Sequence, residues 1–417
     1  MNIALIHYTA PPVVGGVESV LSHHARLMAG AGHSVRLLAA RGEPGSDGVE
    51  FRRLPLADSL HPEILAAKRV LDAGRVPPSY EDLVRRISAE LLPAVADSDV
   101  LIAHNICSLN MNLALTDALH RAYRGPGFPR LILWHHDLAW AAPRYLPELH
   151  DGPPWDLLRS PWPGAIPVAV SELRKGELSR LAGIPLGDIR VVPNGIRIEE
   201  FLRLEDRTIG LVSKLNLLQA APLILIPVRI TPRKNLEFAL RALAHLRREM
   251  PDAAAVITGP VGAHNPENQK YLRDLLDLRD ELGLESAAHF LADVEREVLP
   301  DPVIGDFYRL ADALFLPSLE EGFGLPILEA GICRSPVFCS DLPALRELGG
   351  ESVVYLSPEG DPQDAASRIA KTLGGSPTFR LAASVRRNFR WEEIYRDRIE
   401  PLLLETAGRR NPRGAGS

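Results

Sequence analysis

Cysteine is scarce in this 417-residue chain: Cys107, Cys333 and Cys339 are the only three, and no two of them form a Cys-x-x-Cys pair. An odd count at those spacings gives no disulfide framework and points to a reducing compartment. No apolar run approaches the roughly 20 residues that a membrane-spanning helix needs. Net positive charge is missing as well. A balance of -6 from 47 basic and 53 acidic residues offers a phosphate backbone no general attraction, so no nucleic-acid partner is expected. Where a secretory leader would place basic residues, Ile3-Ala4-Leu5-Ile6-His7 reads as a strand, and a cytoplasmic location is expected. Short-period repeats and low-complexity tracts are lacking too.

What is present is alternation. A chain of this length exceeds what one core supports, so two domains of about 200 residues are expected. In the first half, strand-like runs at 2–7, 34–39, 99–104, 130–135, 166–170 and 189–192 are separated by helical patterns, notably 17–29, 109–123 and 172–181. The stretch 144–167, dense in proline and tryptophan, reads as a long surface loop. A second cycle places strands at 223–228, 253–258, 289–291, 313–316, 337–339 and 353–355, with helices over 235–248 and 266–282. Such alternation predicts an α/β protein of two Rossmann-like, doubly wound domains facing a cleft. The expected bounds are 1–200, a linker at 201–221 where strand signal fades, 222–388, a terminal helix at 389–408 and a frayed tail at 409–417.

Open parallel sheets bind ligands beyond the carboxyl ends of their strands, so the residues just past each apolar run are the candidates. The densest such stretch is Glu321-Gly322-Phe323-Gly324-Leu325-Pro326-Ile327-Leu328-Glu329. Gly322 and Gly324 permit close backbone approach, Pro326 suits a first helical turn, and free amides at a helix start favour a phosphate. Glu329 then falls in the early turns, where its carboxylate suits a polyol. A nucleotide sugar offers both groups. Arg229 and Lys234 flank Thr231-Pro232 at a strand-to-helix turn, and a forked guanidinium with a point charge makes a diphosphate clamp. Taken singly, Gly15-Gly16 and Asn194-Gly195 are turns, Ser171-Glu172 is a helix cap, and His104 or His135 is a satisfied structural histidine. Their joint arrival at strand ends, with Glu18, Asn105, His136, Asp137 and Gly259, points polar groups of both halves at one crevice.

These residues resemble the retaining glycosyltransferases of family four with the GT-B fold, the glycogen synthase and sucrose synthase relatives, over nearly the whole chain. The markers are Gly15-Gly16-Val17-Glu18, His136-Asp137, Val192-Pro193-Asn194-Gly195, Arg229 with Lys234-Asn235, Thr258-Gly259 and Glu321 to Glu329. Phe389-Arg390-Trp391-Glu392-Glu393-Ile394 is similar to the last helix of that family, which crosses back onto the first domain. The resemblance implies a hexose transferred from a nucleotide diphosphate sugar to an acceptor hydroxyl, by same-face attack. It implies an acceptor-side first domain and a donor-binding second domain. Arg229 and Lys234 would hold the diphosphate, Glu321 would lie beside the donor sugar, and Glu329 would bind the ribose. The amides of Phe323, Gly324 and Leu325, with Gly16 and Gly259, would line the donor, and His136 would approach the transferred sugar. Gly15, Glu18, His104, Asn105 and Asp137 are acceptor-side candidates.

With no Asp-x-Asp metal motif counted among these markers, no metal and no other cofactor are expected. The chain departs from the family at Val228, Ala292 and Arg334, where glycine is common. The acceptor stays open between a small polyol, a saccharide and a lipid-linked sugar. Peripheral membrane contact has no basic cluster to support it. The alternatives are a nucleotide-sugar epimerase of the same architecture and a donor-binding, non-catalytic subunit.

Overall fold

The computed structural model describes residues 1–43, 48–262, 265–295 and 297–408, and the tail expected at 409–417 lies outside them. The chain divides into two compact units, Met1–Gly195 with the chain from Trp391 onward, and Ile196–Arg390.

The first unit is built on β1 (Asn2–Ile6), β2 (Ser34–Ala39), β3 (Glu50–Arg53), β4 (Val100–His104), β5 (Arg130–His135), β6 (Ile166–Ala169) and β7 (Arg190–Val191). All pair in parallel, in the order β3-β2-β1-β4-β5-β6-β7. The second unit holds β8 (Leu223–Ile226), β9 (Ala254–Ile257), β10 (Ala288–Phe290), β11 (Ala313–Leu316), β12 (Val337–Ser340) and β13 (Val354–Leu356). Their order is β10-β9-β8-β11-β12-β13, again parallel. Central strands read as unbroken apolar runs because helices cover both faces: every residue of β4, β8 and β11 is buried, while edge strands β3 and β7 have no buried residue.

Each sheet reverses its direction of growth once, between β1 and β4 in the first unit and between β8 and β11 in the second. At such a switch point the connections leave toward opposite faces, and a crevice stays open beyond the strand ends. Ile3 pairs with Val100 and Leu225 with Leu314, so the loops after β1 and β4, and after β8 and β11, emerge side by side.

Two expectations need correction. Residues 201–221 are not a linker: Asp206–Lys214 is a helix whose Leu211 and Val212 are 2% and 3% exposed within the second core. Their polar neighbours are also tied in, since buried Asp306 accepts from the Glu205 amide at 2.8 Å and from the Thr208 hydroxyl. The strand signal fades there because the segment is an amphipathic helix. Nor is 144–167 a surface loop, for Trp155, Leu158 and Trp162 are 3–5% exposed and close the β5 side of the core. The stretch between β2 and β4, for which no element was expected, holds β3 and two further helices, Pro62–Leu71 and Tyr80–Val95. Leu83, Ile87, Leu91 and Ala94, spaced four, four and three apart on its buried face, were a legible signal.

Beyond Arg390 the chain re-enters the first unit, where Trp391, Ile394, Ile399 and Leu403 pack with Ile3, Leu5 and Ile132. If Leu211 is core, Leu211→Ala should cost about 3 kcal/mol, the usual penalty for emptying a buried leucine site, as read by urea unfolding followed by circular dichroism. A loss below about 0.5 kcal/mol, as at a surface site, would return the segment to a linker.

Candidate functional site

In the second unit, the loop after β8 and the loop after β11 meet. Lys234, 7% exposed, ends a short turn opened by Pro232, and its ammonium donates to Glu321. The Ser318 hydroxyl donates to the same carboxylate oxygen at 2.7 Å, and the Leu319 amide bonds the Arg233 carbonyl at 2.9 Å. The two side chains of this ion pair are only 9% and 10% exposed, so each depends on the other for charge compensation. Arg229 is different: it is exposed and makes no ion pair among the described residues.

Two glycines are fixed by the backbone around them. A Cβ on Gly259 would lie 1.9 Å from the Val228 carbonyl oxygen and 2.6 Å from the Arg229 amide nitrogen. The end of β9 therefore presses on the turn that carries Arg229, and Gly259 reaches the site as a spacer of that turn. Gly324 adopts φ +101°, and a Cβ there would lie 2.5 Å from Leu345 Cδ2. It caps the helix Leu325–Ile332, with Pro326 in the first turn and Phe323 and Leu325 exposed. Glu329 stands exposed on this helix, and the Tyr308 hydroxyl, from the helix Asp301–Leu310, donates to it. Burial and the Glu329 charge hold the Tyr308 phenol protonated, far above its ordinary range. Neither Ser318 nor Tyr308 was expected from the sequence; Ser318 lies three residues before Glu321 at the strand end, and Tyr308 lies on the helix before that strand, 21 residues from Glu329. Arg334, where family members carry glycine, keeps the left-handed backbone at φ +59°.

In the first unit, β1 and β4 deliver a cluster of imidazoles. His7 Nδ1 donates to the His104 carbonyl at 2.9 Å, leaving Nε2 3.9 Å from Glu18. Glu18 also accepts from Thr9, and it folds back so closely that a Cβ on Gly15 would lie 2.0 Å from its carboxylate. Gly15 precedes the helix Gly16–Gly30, with Gly16 exposed. Asn105, held at φ +58°, accepts through Oδ1 from the amides of His136 at 2.8 Å and Asp137 at 3.2 Å. His104 Nδ1 lies 3.0 Å from His136 Nε2.

His104 and Asn105 are 0% and 1% exposed, so neither reaches a ligand as an acceptor contact; they hold His136 in place from below. Burial depresses the whole cluster. His136 and His24 fall to about 3, and His104 falls well below its usual value, each chiefly through desolvation and then through neighbouring imidazoles. At neutral pH His136 is an uncharged hydrogen-bonding group. Asp137 stays partly exposed, 3.6 Å from Arg174.

The Asp-x-Asp spacing does occur, at Asp97-Ser98-Asp99, and corrects the count made from the sequence. It lies at the amino end of β4, away from the crevice, where Asp97 accepts from Arg36 at 2.6 Å and Asp99 from the Asn2 amide at 2.8 Å. Among the described residues no three His, Cys, Asp or Glu side chains converge as a metal-holding group, and no helix is long and apolar enough to cross a membrane. A cavity of about 480 Å³ opens elsewhere on the first unit, between Leu133, Leu158, Trp162 and Leu178, with Cys107 and His135 3.9 Å apart in its lining. Burial raises that thiol to about 12 and lowers that imidazole to about 4, so the pair is neutral and inert as a nucleophile and base.

Two family models match the chain: Glycosyltransferase Family 4 over residues 14–200 and Glycosyl transferases group 1 over residues 212–388. Mannosylglucosylglycerate synthase of Petrotoga mobilis is 26% identical over 276 residues, 60% of this chain and 61% of its own length. D-inositol 3-phosphate glycosyltransferase of Kineococcus radiotolerans is 29% identical over 264 residues, 57% of this chain and 58% of its own. The chain thus spans about three fifths of these curated relatives. Among solved structures, a sucrose-phosphate synthase from Thermosynechococcus elongatus covers 98% of this chain at 17% identity, with a TM-score of 0.38, too low to argue from.

The depressed histidines make the first unit sensitive to acid. Each binds a proton in the unfolded chain below about 6.5 but stays neutral in the fold down to a much lower pH, so stability falls with pH across that window. The loss approaches about 1.4 kcal/mol per pH unit for each such histidine. All five tryptophans lie in the first unit, so their emission reports its unfolding alone. Neither ring nitrogen of His24 has a hydrogen-bond partner among the described residues, and the ring packs 4.7 Å from Trp134 and 5.3 Å from Trp391. His24→Leu should flatten the fall in stability between pH 7 and pH 5 by about 2 kcal/mol; an unchanged slope would show that His24 is charged in the fold.

Proposed function

Because the chain belongs to the family-four glycosyltransferases of the GT-B type, we propose that its second unit binds a nucleoside diphosphate sugar, whose hexose it transfers to an acceptor hydroxyl with retention. The observation that carries this proposal is the meeting, at one switch point, of an unpaired Arg229, a Lys234–Glu321 pair and the amides that open the helix at Leu325. Glu329 stands on the same helix.

The leaving diphosphate gains charge as the bond from the anomeric carbon to the phosphate oxygen breaks. Arg229 and Lys234 stabilise that charge directly, and the helix amides add fixed donors that need no reorganisation. In the same step the acceptor oxygen bonds the anomeric carbon from the face the phosphate leaves, and its proton passes to the departing phosphate oxygen. Retention then follows without a covalent intermediate. With two cationic side chains in place, transfer is proposed to need no metal. Without a ligand, Lys234 is already neutralised by Glu321. An arriving diphosphate gives the ammonium a second anionic partner and draws Glu321 toward the sugar hydroxyls, so the pair is poised to rearrange when the donor binds.

For the first unit, His136 is proposed to contact substrate as a neutral donor or acceptor, since it titrates too low to act as a general acid near neutrality. Glu18, Gly15, Gly16 and Asp137 follow the carboxyl ends of β1 and β5 and are proposed for the acceptor side. A compact polyhydroxylated acceptor, a polyol phosphate or a saccharide, is favoured by the inositol phosphate named for several relatives.

The test separates binding from chemistry. Glu321→Gln removes a negative charge beside the diphosphate and frees Lys234, so it should bind uridine, guanosine or adenosine diphosphate several-fold more tightly while transfer falls by roughly 100-fold or more. Lys234→Met should weaken both and, by stranding a buried carboxylate, lower stability by about 3 kcal/mol. Calorimetry with and without a chelator reads the first, and product formation with a polyol phosphate panel the second. Wild-type turnover in Glu321→Gln, or binding that needs a divalent ion, would overturn the assignment.

A further inference from the structure

We infer that Tyr308 is a positioning residue that sets how the second unit recognises the ribose of its donor, by pinning one oxygen of Glu329. The inference rests on the proposed donor role of that unit and goes beyond it, because it concerns a residue that neither the motif nor the charge pattern marks.

Glu329 lies exposed on a helix of eight residues and has no cationic partner among the described residues. A solvated glutamate on such a short helix samples many rotamers, and fixing one costs conformational entropy. Here that freedom is already removed. Tyr308 is 4% exposed, rooted beside Val303, Phe307 and Leu310 in the second core, and only its hydroxyl reaches out, donating to Glu329 Oε2. A rigid aromatic lever anchored in the core therefore sets the position of an otherwise mobile carboxylate.

The bond goes to one oxygen. Oε2 retains a single free lone pair directed by the phenol, whereas Oε1 keeps both, so the carboxylate is presented asymmetrically. A vicinal diol that donates to it makes one strong bond at Oε1 and one weaker bond at Oε2. The two ribose hydroxyls should then contribute unequally to donor affinity, and the inequality should depend on the Tyr308 hydroxyl. Burial keeps the phenol protonated, so the lever acts as a donor across the working pH range.

The experiment compares wild type, Tyr308→Phe and Glu329→Gln in the full chain. Each is titrated with the nucleoside diphosphate that wild type binds best and with its 2′-deoxy and 3′-deoxy forms. Wild type should favour the ribose form over both, by different factors. Tyr308→Phe keeps the ring that fills the core, and it should lose roughly tenfold in affinity for the ribose form and bring the 2′-deoxy and 3′-deoxy forms to nearly equal affinity. Its donor KM should rise with kcat within about twofold, as expected when binding common to ground and transition states is removed. Glu329→Gln, with the lever intact, should also lose the preference for ribose. If Tyr308→Phe lowers affinity for all three ligands equally, or leaves the ratios unchanged, the positioning role is overturned while the donor proposal stands. If wild type binds no nucleoside diphosphate, both fall together.

Discussion

The reversal of strand order between β8 and β11 is the constraint on which the rest of the second unit depends. Parallel strands cannot be joined by tight hairpins, so each is followed by a connection that packs a helix onto one face of the sheet. Where growth changes direction, neighbouring connections depart to opposite faces, and nothing covers the gap between them. That gap is where Lys234 and Glu321, 87 residues apart in sequence, are brought into hydrogen-bonding contact. The first unit repeats the device between β1 and β4, and it delivers neutral imidazoles in place of charges.

The two glutamates of the second unit share a manner of support. Each accepts from a hydroxyl that belongs to a buried residue, Ser318 for Glu321 and Tyr308 for Glu329. Hydroxyls are suited to this task because they fix a carboxylate without cancelling its charge. Lys234 does cancel the charge of Glu321, whereas Glu329 has no ion pair among the described residues. An anionic, polyhydroxylated ligand, as proposed, would therefore have to reorganise the first carboxylate but could use the second as it stands.

Much of this was legible in the sequence, for a physical reason. Central parallel strands are buried on both faces, so β4, β8 and β11 appear as short, largely apolar runs with sharp ends, and the residues past those ends are the candidates. Arg229, Lys234, Glu321 and Glu329 were found that way. What was missed lacks such a signature. The helix Asp206–Lys214 breaks the strand grammar and resembles a polar connector until its buried face is seen. Tyr308 looks like one more apolar residue on an amphipathic helix, because only its last atom matters. His104, left open by the sequence between an acceptor contact and a structural histidine, is buried beneath His136, since a polar residue at a strand end need not be surface.

The contact between Gly259 and the Val228 carbonyl has a consequence for how this protein can change over evolutionary time. The turn that carries Arg229 is located by main-chain atoms pressing on main-chain atoms, so its place owes nothing to side-chain rotamers and cannot be retuned by exchanging them. Substitutions around the sheet can accumulate and repack while the root of the guanidinium stays put. New ligand preferences must then arise in the loops that flank the turn and not in the turn itself. The Arg229 end of the candidate site is thus insulated from drift in the core, and variation is channelled to its periphery.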